Sequence, residues 1–246
     1  MKNKKHYKKQ LDYFGKEFSS IVSYSLAPWQ KSYIGRIKSD MLKKEYTKKT
    51  VLDIATGSGY VAIEMAKLGL NVVATDLTPA ALENINRTKK KLGLKNIKTI
   101  NCYAEKIPVP SESADFIVAN AILEHIPNEK KAIAEWIRIL KPGGRMMITV
   151  PLRFRYIWPF LWLPNYLHDK KIGHLRRYDK QILEKRFKLK VINTCYTGHL
   201  IKVFGIALSL LTKKANIETK YEKMDVKKAN QRYGANNISV IFEKPL

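Results

Sequence analysis

Val51-Leu52-Asp53-Ile54-Ala55-Thr56-Gly57-Ser58-Gly59-Tyr60 is the stretch that decides the fold of this 246-residue chain. Its first four residues read as a buried strand, and the glycines as a turn that follows it. Behind the turn, Val61, Ile63, Met65, Ala66 and Leu68 set a helical period. A second apolar run, Asn71-Val72-Val73-Ala74-Thr75, ends in Asp76, 17 residues past Gly59. Strand, glycine turn, helix, strand, acid is the layout of a nucleotide-cofactor half-site. Glycine lets the backbone approach a ligand that a Cβ would block. An acid at the tip of the second strand can accept both hydroxyl hydrogens of a ribose.

The spacing Gly57-x-Gly59-x-x-Ala62 also fits a dinucleotide turn. Asp53 separates the two readings. It precedes the glycines at the end of its strand, where a carboxylate suits a cationic amino group and is badly placed against a pyrophosphate. S-adenosylmethionine carries an amino group, a carboxylate and a ribose, and no phosphate.

Further motifs follow in order: Ala104-Glu105-Lys106-Ile107-Pro108, Ala114-Asp115-Phe116-Ile117-Val118-Ala119-Asn120, Ile122-Leu123-Glu124-His125, and Leu140-Lys141-Pro142-Gly143-Gly144 before a strand at Met146 to Val150. Over about residues 45 to 150 this set resembles the class I S-adenosylmethionine-dependent methyltransferases, and within them the small-molecule branch with quinone and sterol enzymes (methyltransferase type 11). The resemblance implies an α/β fold: a Rossmann-like, seven-stranded, mostly parallel sheet with an antiparallel last strand and helices on both faces. It implies an N-terminal helical cap over 1–46 and a methyltransferase domain over 47–246, with an apolar substrate-side insert at 152–178 after the fifth strand.

Residue by residue, the resemblance places Asp53, Ala55, Gly57 and Gly59 under the methionine part of the cofactor. Asp76 takes the ribose hydroxyls and Leu77 lies against the adenine, with Ala104 and Glu105 at its edge. Asn120 stands near the reacting sulfur. His125 is the candidate general base, and His174 and Tyr178 are candidate substrate contacts. Two positions depart from the pattern: Ala55 replaces a frequent glycine, and Cys102-Tyr103 stands where Gly-Asp is common. Some quinone O-methyltransferases bind a divalent metal with an acid three residues ahead of a Glu-His pair. Here that position is Ala121, two adjacent ligands make a poor site, and no metal is expected.

The formal charge is +25, from 46 Lys+Arg against 21 Asp+Glu. Its distribution is uneven: net +9 over residues 1–50, +3 over 51–150 and +13 over 151–246. The cofactor half is nearly balanced, and the flanks that build the substrate side carry the excess. Such a field favours an anionic partner: a phospholipid surface, a polyphosphate-linked substrate or RNA. Only 10 of the 46 cations are Arg, and phosphate-reading sites favour Arg forks. The leading expectation is methyl transfer to a small-molecule or lipid-like acceptor, with peripheral contact at an anionic membrane. A tRNA-type RNA methyltransferase is the alternative. Two cysteines give no disulfide framework, no apolar run is long enough to span a bilayer, and no signal peptide is seen, so a cytoplasmic setting at the inner membrane face is expected.

Outward from the core, Leu11, Phe14, Phe18, Ile21 and Val22 predict a leading helix. Strands are predicted near 50–54, 71–75, 97–101, 115–119, 145–150, 187–196 and 237–243. Residues 154–167 crowd aromatics between cations. Residues 198–212 form an apolar helix, and the Lys-rich stretch 213–232 reads as polar and mobile.

Overall fold

The computed structural model describes residues 2–42, 46–212 and 215–246. Seven strands form one sheet: β1 (Thr50–Ile54), β2 (Asn71–Asp76), β3 (Ile97–Asn101), β4 (Ala114–Asn120), β5 (Leu140–Pro151), β6 (Lys190–Thr197) and β7 (Asn237–Glu243). Their order is β3-β2-β1-β4-β5-β7-β6. The first five pair parallel, and β7 inserts antiparallel between β5 and β6. The expected sheet is therefore present, including its antiparallel last strand.

Strand β5 begins earlier than the apolar pattern suggested. Leu140 already pairs with Ala114, and the register shifts before Phe116 meets Arg145. Pro142 lacks a ladder donor and Gly143 has a left-handed φ of 68°, so this entry is irregular. Its polar residues hide it from a hydrophobic scan.

The helices are α1 (Lys2–Ser19), α2 (Pro28–Arg36), α3 (Tyr60–Lys67), α4 (Pro79–Lys91), α5 (Glu129–Ile139), α6 (Trp162–Ile172), α7 (Lys180–Phe187), α8 (Leu200–Thr212) and α9 (Ala215–Lys227). Alternation along the strands divides the core in two. Leu52, Ile54, Ile117 and Ile148 pack with Trp136 of α5 and Phe187 of α7 on one face. Val51, Val72, Val118 and Met147 pack with Tyr33 of α2, Ile63 of α3 and Ile85 of α4 on the other. Each fully buried Leu, Ile or Val stabilises by roughly 1.5–3 kcal/mol before entropy is counted. The indole N–H of Trp136 donates to the Ala104 carbonyl at 2.9 Å, tying α5 to the loop after β3.

Helix α1 lies over the carboxyl ends of the parallel strands. Asn84 of α4 donates to the Phe18 carbonyl at 2.6 Å, and Gln10 donates to the Ile172 carbonyl at the end of α6 at 2.9 Å. The helix stops at Ser19, so Ile21 and Val22 lie beyond it, and Val22 is exposed.

The stretch 213–232, expected to be mobile, is corrected over its described part. Ala215–Lys227 is a helix docked on α8. Gly205 admits the Tyr221 ring, since a Cβ there would lie 2.3 Å from Tyr221 Cβ. Asp225 is buried and accepts from the backbone N–H groups of Gly198 and His199, each at 2.9 Å, and pairs with the His199 ring at 2.7 Å. Glu222 is buried against Lys202 at 2.8 Å. The inward face of α9 is thus half acidic, so no apolar stripe announces it.

Candidate cofactor and acceptor cavity

A cavity of about 520 Å³ opens at the carboxyl ends of β1, β2 and β4. The strand order reverses between β1 and β4, which is where open α/β sheets bind ligands. Asp53, Ala55, Thr56 and Gly57 form its floor with Thr75, Asp76 and Leu77, and Cys102–Glu105 and Asn120–Ile122 supply a second wall. Tyr7, Phe14 and Phe18 of α1 and Trp29 of α2 roof it.

Four carboxylates line this space, from Glu17, Asp53, Asp76 and Glu105. Among the described lining residues there is no Lys or Arg. In a chain with 46 basic residues that exclusion is a property of the site. It suits a cationic ligand and opposes a phosphorylated one.

Asp53 is buried and accepts from Thr56 Oγ1 at 2.6 Å and from the Ala62 N–H at 3.1 Å, both on Oδ2. Burial pushes its carboxyl up to about 7, against those two hydrogen bonds. A cation beside it would return it to the ionised form. Affinity for a cationic ligand should therefore rise with pH as Asp53 ionises, by on the order of tenfold between about pH 5.5 and 7.5. Asp53→Asn should flatten that profile. Calorimetric titrations across the range decide it, and a flat wild-type profile would contradict the role given to Asp53.

Asp76 accepts from the Gly57 N–H at 2.9 Å and the Thr78 N–H at 2.8 Å, one bond to each carboxylate oxygen. Each oxygen keeps lone-pair capacity for a ligand hydroxyl. Burial raises its pKa and these backbone donors oppose the rise. Asn120 Nδ2 donates to the Tyr60 hydroxyl at 2.9 Å, and Tyr60 meets Trp29 edge-on at 5.5 Å. The Tyr7 hydroxyl donates to Glu105 Oε1, tying the roof to the wall.

The turn geometry distinguishes the two glycines. Gly57 lines the cavity with φ 54°, and a Cβ there would meet the Phe18 ring at 3.2 Å. A side chain at Gly57 thus meets the roof before any ligand. Gly59 does not line the cavity. Its φ is 78°, and a Cβ would lie 2.5 Å from Ile85 Cγ1. Its tightest constraint is the packing of α3 against α4. Ala55 holds φ 52° without being glycine, as Ala121 holds 53° after β4. Such a conformation costs about 1–2 kcal/mol at a residue bearing a Cβ.

Eight of the nine residues expected at the cofactor line the cavity: Asp53, Ala55, Gly57, Asp76, Leu77, Ala104, Glu105 and Asn120. The sequence reading missed Tyr7 and Tyr60 as lining residues. Only the fold brings Tyr7 across to Glu105.

His125 also lines the cavity. Burial, with His174 and His6 nearby, pushes its pKa down to about 3. Burial thus holds its imidazole neutral and disfavours the charged form that a general base must reach. His174 and Tyr178 do not line the cavity. Tyr178 is fully buried, and its hydroxyl donates to the Leu123 carbonyl at 3.2 Å and to Glu129 at 2.8 Å. Its ring packs in the core. His174 instead faces Glu124 and His125: its Nε2 is 3.7 Å from Glu124 Oε1, and its ring centroid is 4.7 Å from that of His125.

Residues 52–148 match the family model described as a methyltransferase domain. The chain is 30% identical over 121 residues to the chloroplastic 2-methyl-6-phytyl-1,4-hydroquinone methyltransferase of Arabidopsis thaliana, covering 48% of this chain and 33% of that protein. It is 30% identical over 104 residues to the ubiquinone/menaquinone biosynthesis C-methyltransferase UbiE of Citrobacter koseri, covering 41% of each. The matched segments thus span less than half of these relatives. Among solved structures, the N-methyltransferase NodS of Bradyrhizobium japonicum in complex with S-adenosyl-L-homocysteine superposes with a TM-score of 0.64 at 12% identity, covering 97% of this chain and 100% of that one.

Proposed function

We propose that this chain, which matches the methyltransferase domain model over residues 52–148, binds S-adenosylmethionine in the cavity and transfers its methyl group to an apolar, quinol-like acceptor. The observation that carries the reading is the charge of the cavity: four carboxylates and, among its described lining residues, no Lys or Arg. A sulfonium with an ammonium group fits it, whereas the pyrophosphate of a dinucleotide does not. In this reading Asp76 holds the ribose, and Leu77, Ala104 and Glu105 border the adenine. Asp53 and the Ala55–Gly57 turn hold the methionine part, and Asn120 stands beside the sulfur.

The reaction needs little chemistry from the protein. A nucleophile on the acceptor attacks the methyl carbon in line as the carbon–sulfur bond breaks, neutral S-adenosylhomocysteine leaves, and the proton shed by the methylated oxygen or carbon passes to solvent. Holding the nucleophile about 3–3.5 Å from the methyl in a dry pocket is the main contribution. Phe14, Ile122 and Ile126 give the cavity the apolar wall that such an acceptor requires. The acceptor class is supported by relatives named as a hydroquinone methyltransferase and a ubiquinone/menaquinone biosynthesis C-methyltransferase. With methyl-labelled S-adenosylmethionine and a membrane lipid extract, label should enter the organic-soluble fraction. Label entering RNA instead would overturn the acceptor assignment.

The same reading places the chain at a membrane surface. Trp158, Phe160, Trp162, Leu163 and Leu167 are exposed on the insert, as are Phe204, Leu210 and Leu211 on α8. One segment joins the two patches: Gln231 accepts from the His199 ring at 2.7 Å, and Tyr233 meets Trp158 edge-on at 5.0 Å. Arg155 and Arg232 flank Tyr156 at 4.7 and 4.4 Å. Aromatics with cations at their rim suit an anionic interface. Among the described residues no helix is long and apolar enough to cross a membrane. Vesicles with anionic lipid should bind the protein more tightly than neutral ones. Binding should fall with salt, because exposed charges are screened beyond about 8 Å at physiological ionic strength, and it should fall in a Trp158→Ala, Trp162→Ala double variant. Salt-independent or absent binding would retire the interfacial reading and leave the cavity assignment standing.

A further inference from the structure

Beside the cavity, three side chains from two parts of the chain converge on one point. Glu124 and His125 sit on a single helical turn, Leu123–His125. His174 comes from the loop after α6 and is held over that turn by the Leu175 N–H, which donates to the Glu124 carbonyl at 2.8 Å. One ligand atom from each of Glu124, His125 and His174 lies within 4.8 Å of the other two.

Their hydrogen bonding is unusual. Glu124 is fully buried, yet neither carboxylate oxygen has a hydrogen-bond partner. The buried Nδ1 of His125 has none either. Unpaired buried polar atoms are costly, on the order of 1–3 kcal/mol each and more when charged. Three in one cluster call for a missing partner. Among the described residues the group facing Glu124 is His174, whose Nε2 lies 3.7 Å from Oε1, beyond hydrogen-bond distance. Arg177 is the nearby cation, but its guanidinium is committed to Asp169, with Nε 2.6 Å from Oδ2 and Nη2 2.9 Å from Oδ1.

The histidine from the insert is prepared in a specific way. His174 Nδ1 is 2.7 Å from Asp169 Oδ1. That contact favours the tautomer with the ring proton on Nδ1, in which Nε2, the nitrogen facing Glu124, is an acceptor. A carboxylate behind a histidine whose other nitrogen points at open ligand atoms is the outer arrangement found around metal-bound histidines.

We infer that Glu124, His125 and His174 form a site for one divalent transition-metal ion in the wall of the cavity. Two imidazoles and one carboxylate suit a Zn²⁺-class ion, whereas Mg²⁺ and Ca²⁺ favour all-oxygen sets. Ligands about 2.1 Å from a tetrahedral ion are about 3.4 Å apart, so the ligand atoms here, all within 4.8 Å of one another, must close by up to about 1.4 Å. The expectation of no metal weighed Ala121 and the adjacent pair alone, and the fold adds the third ligand from 49 residues downstream of His125. Because His125 lines the cavity, the ion's open positions would take an oxygen of the acceptor. That role rests on the methyl-transfer reading; the site itself does not.

Equilibrium dialysis of the metal-stripped full chain against Zn²⁺ tests the site without any turnover. One ion per chain is expected, weakened at least about tenfold in His174→Ala and Glu124→Gln, and about 10–100-fold in Asp169→Asn. His168→Ala, which alters an exposed neighbour, should bind as the wild type does. Circular dichroism and S-adenosylhomocysteine titration on each variant report folding and the cofactor half separately. Should Glu124→Gln fail to fold, His174→Ala carries the test, since its ring is at the rim of the core. No stoichiometric Zn²⁺ in the wild type, or Zn²⁺ retained unchanged in His174→Ala, overturns the site. Zn²⁺ bound as expected with no S-adenosylhomocysteine bound would leave the site standing and remove the function proposed for the cavity.

Discussion

Asp76→Ala should weaken S-adenosylmethionine binding by about 2–4 kcal/mol, the loss of two charge-assisted hydrogen bonds from ribose hydroxyls. At about 1.4 kcal/mol per decade that is roughly 30- to 1,000-fold in the dissociation constant. The structure adds a second route to the same loss. Asp76 also holds the Gly57 and Thr78 N–H groups, so its removal loosens the turn beneath the methionine part. Asp76→Asn keeps one carbonyl acceptor and should fall between wild type and Ala. Calorimetry with S-adenosylhomocysteine measures all three proteins. An unchanged constant in Asp76→Ala would contradict the ribose assignment.

Gly59→Ala is the second large effect, and it concerns folding. The new Cβ would stand 2.5 Å from Ile85 Cγ1 on a residue with φ 78°. Overpacking costs about 1–3 kcal/mol and the left-handed backbone about 1–2 more, so a loss of about 2–5 kcal/mol is expected. Gly57→Ala differs in kind. Its Cβ meets the Phe18 ring at 3.2 Å, and Phe18 belongs to the roof over the cavity. That variant should lose ligand affinity while keeping most of its stability. Urea unfolding paired with ligand titration separates the two. Equal destabilisation in both would show that the turn acts only as structure.

These contrasts mark what a sequence can tell about such a site. The strands were legible because buried parallel strands are short apolar runs bounded by turns, and β1, β2 and β4 follow that pattern. Asp53 and Asp76 were legible because each closes such a run. The packing constraint on Gly59 was not legible because it comes from Ile85, 26 residues away and on another helix. Helix α9 escaped notice because its inward face carries Glu222 and Asp225, paired with Lys202 and His199 of the α8 region. The same holds for His174 and Tyr178, which share a segment yet do different things: one faces Glu124, the other fills the core. Nothing local distinguishes them. The acidity of the cavity was hidden too, since Glu17 and Glu105 join Asp53 and Asp76 only when α1 closes over the sheet.

The central claim is that an acid-lined cavity in a strongly basic chain selects a sulfonium cofactor over a phosphorylated one. Titrating the purified chain with S-adenosylmethionine, and separately with a nicotinamide dinucleotide, tests it most directly. Saturable binding of one S-adenosylmethionine per chain is expected, weakened roughly 30- to 1,000-fold in Asp76→Ala, with no displacement by the dinucleotide. Binding of the dinucleotide in place of S-adenosylmethionine would contradict it.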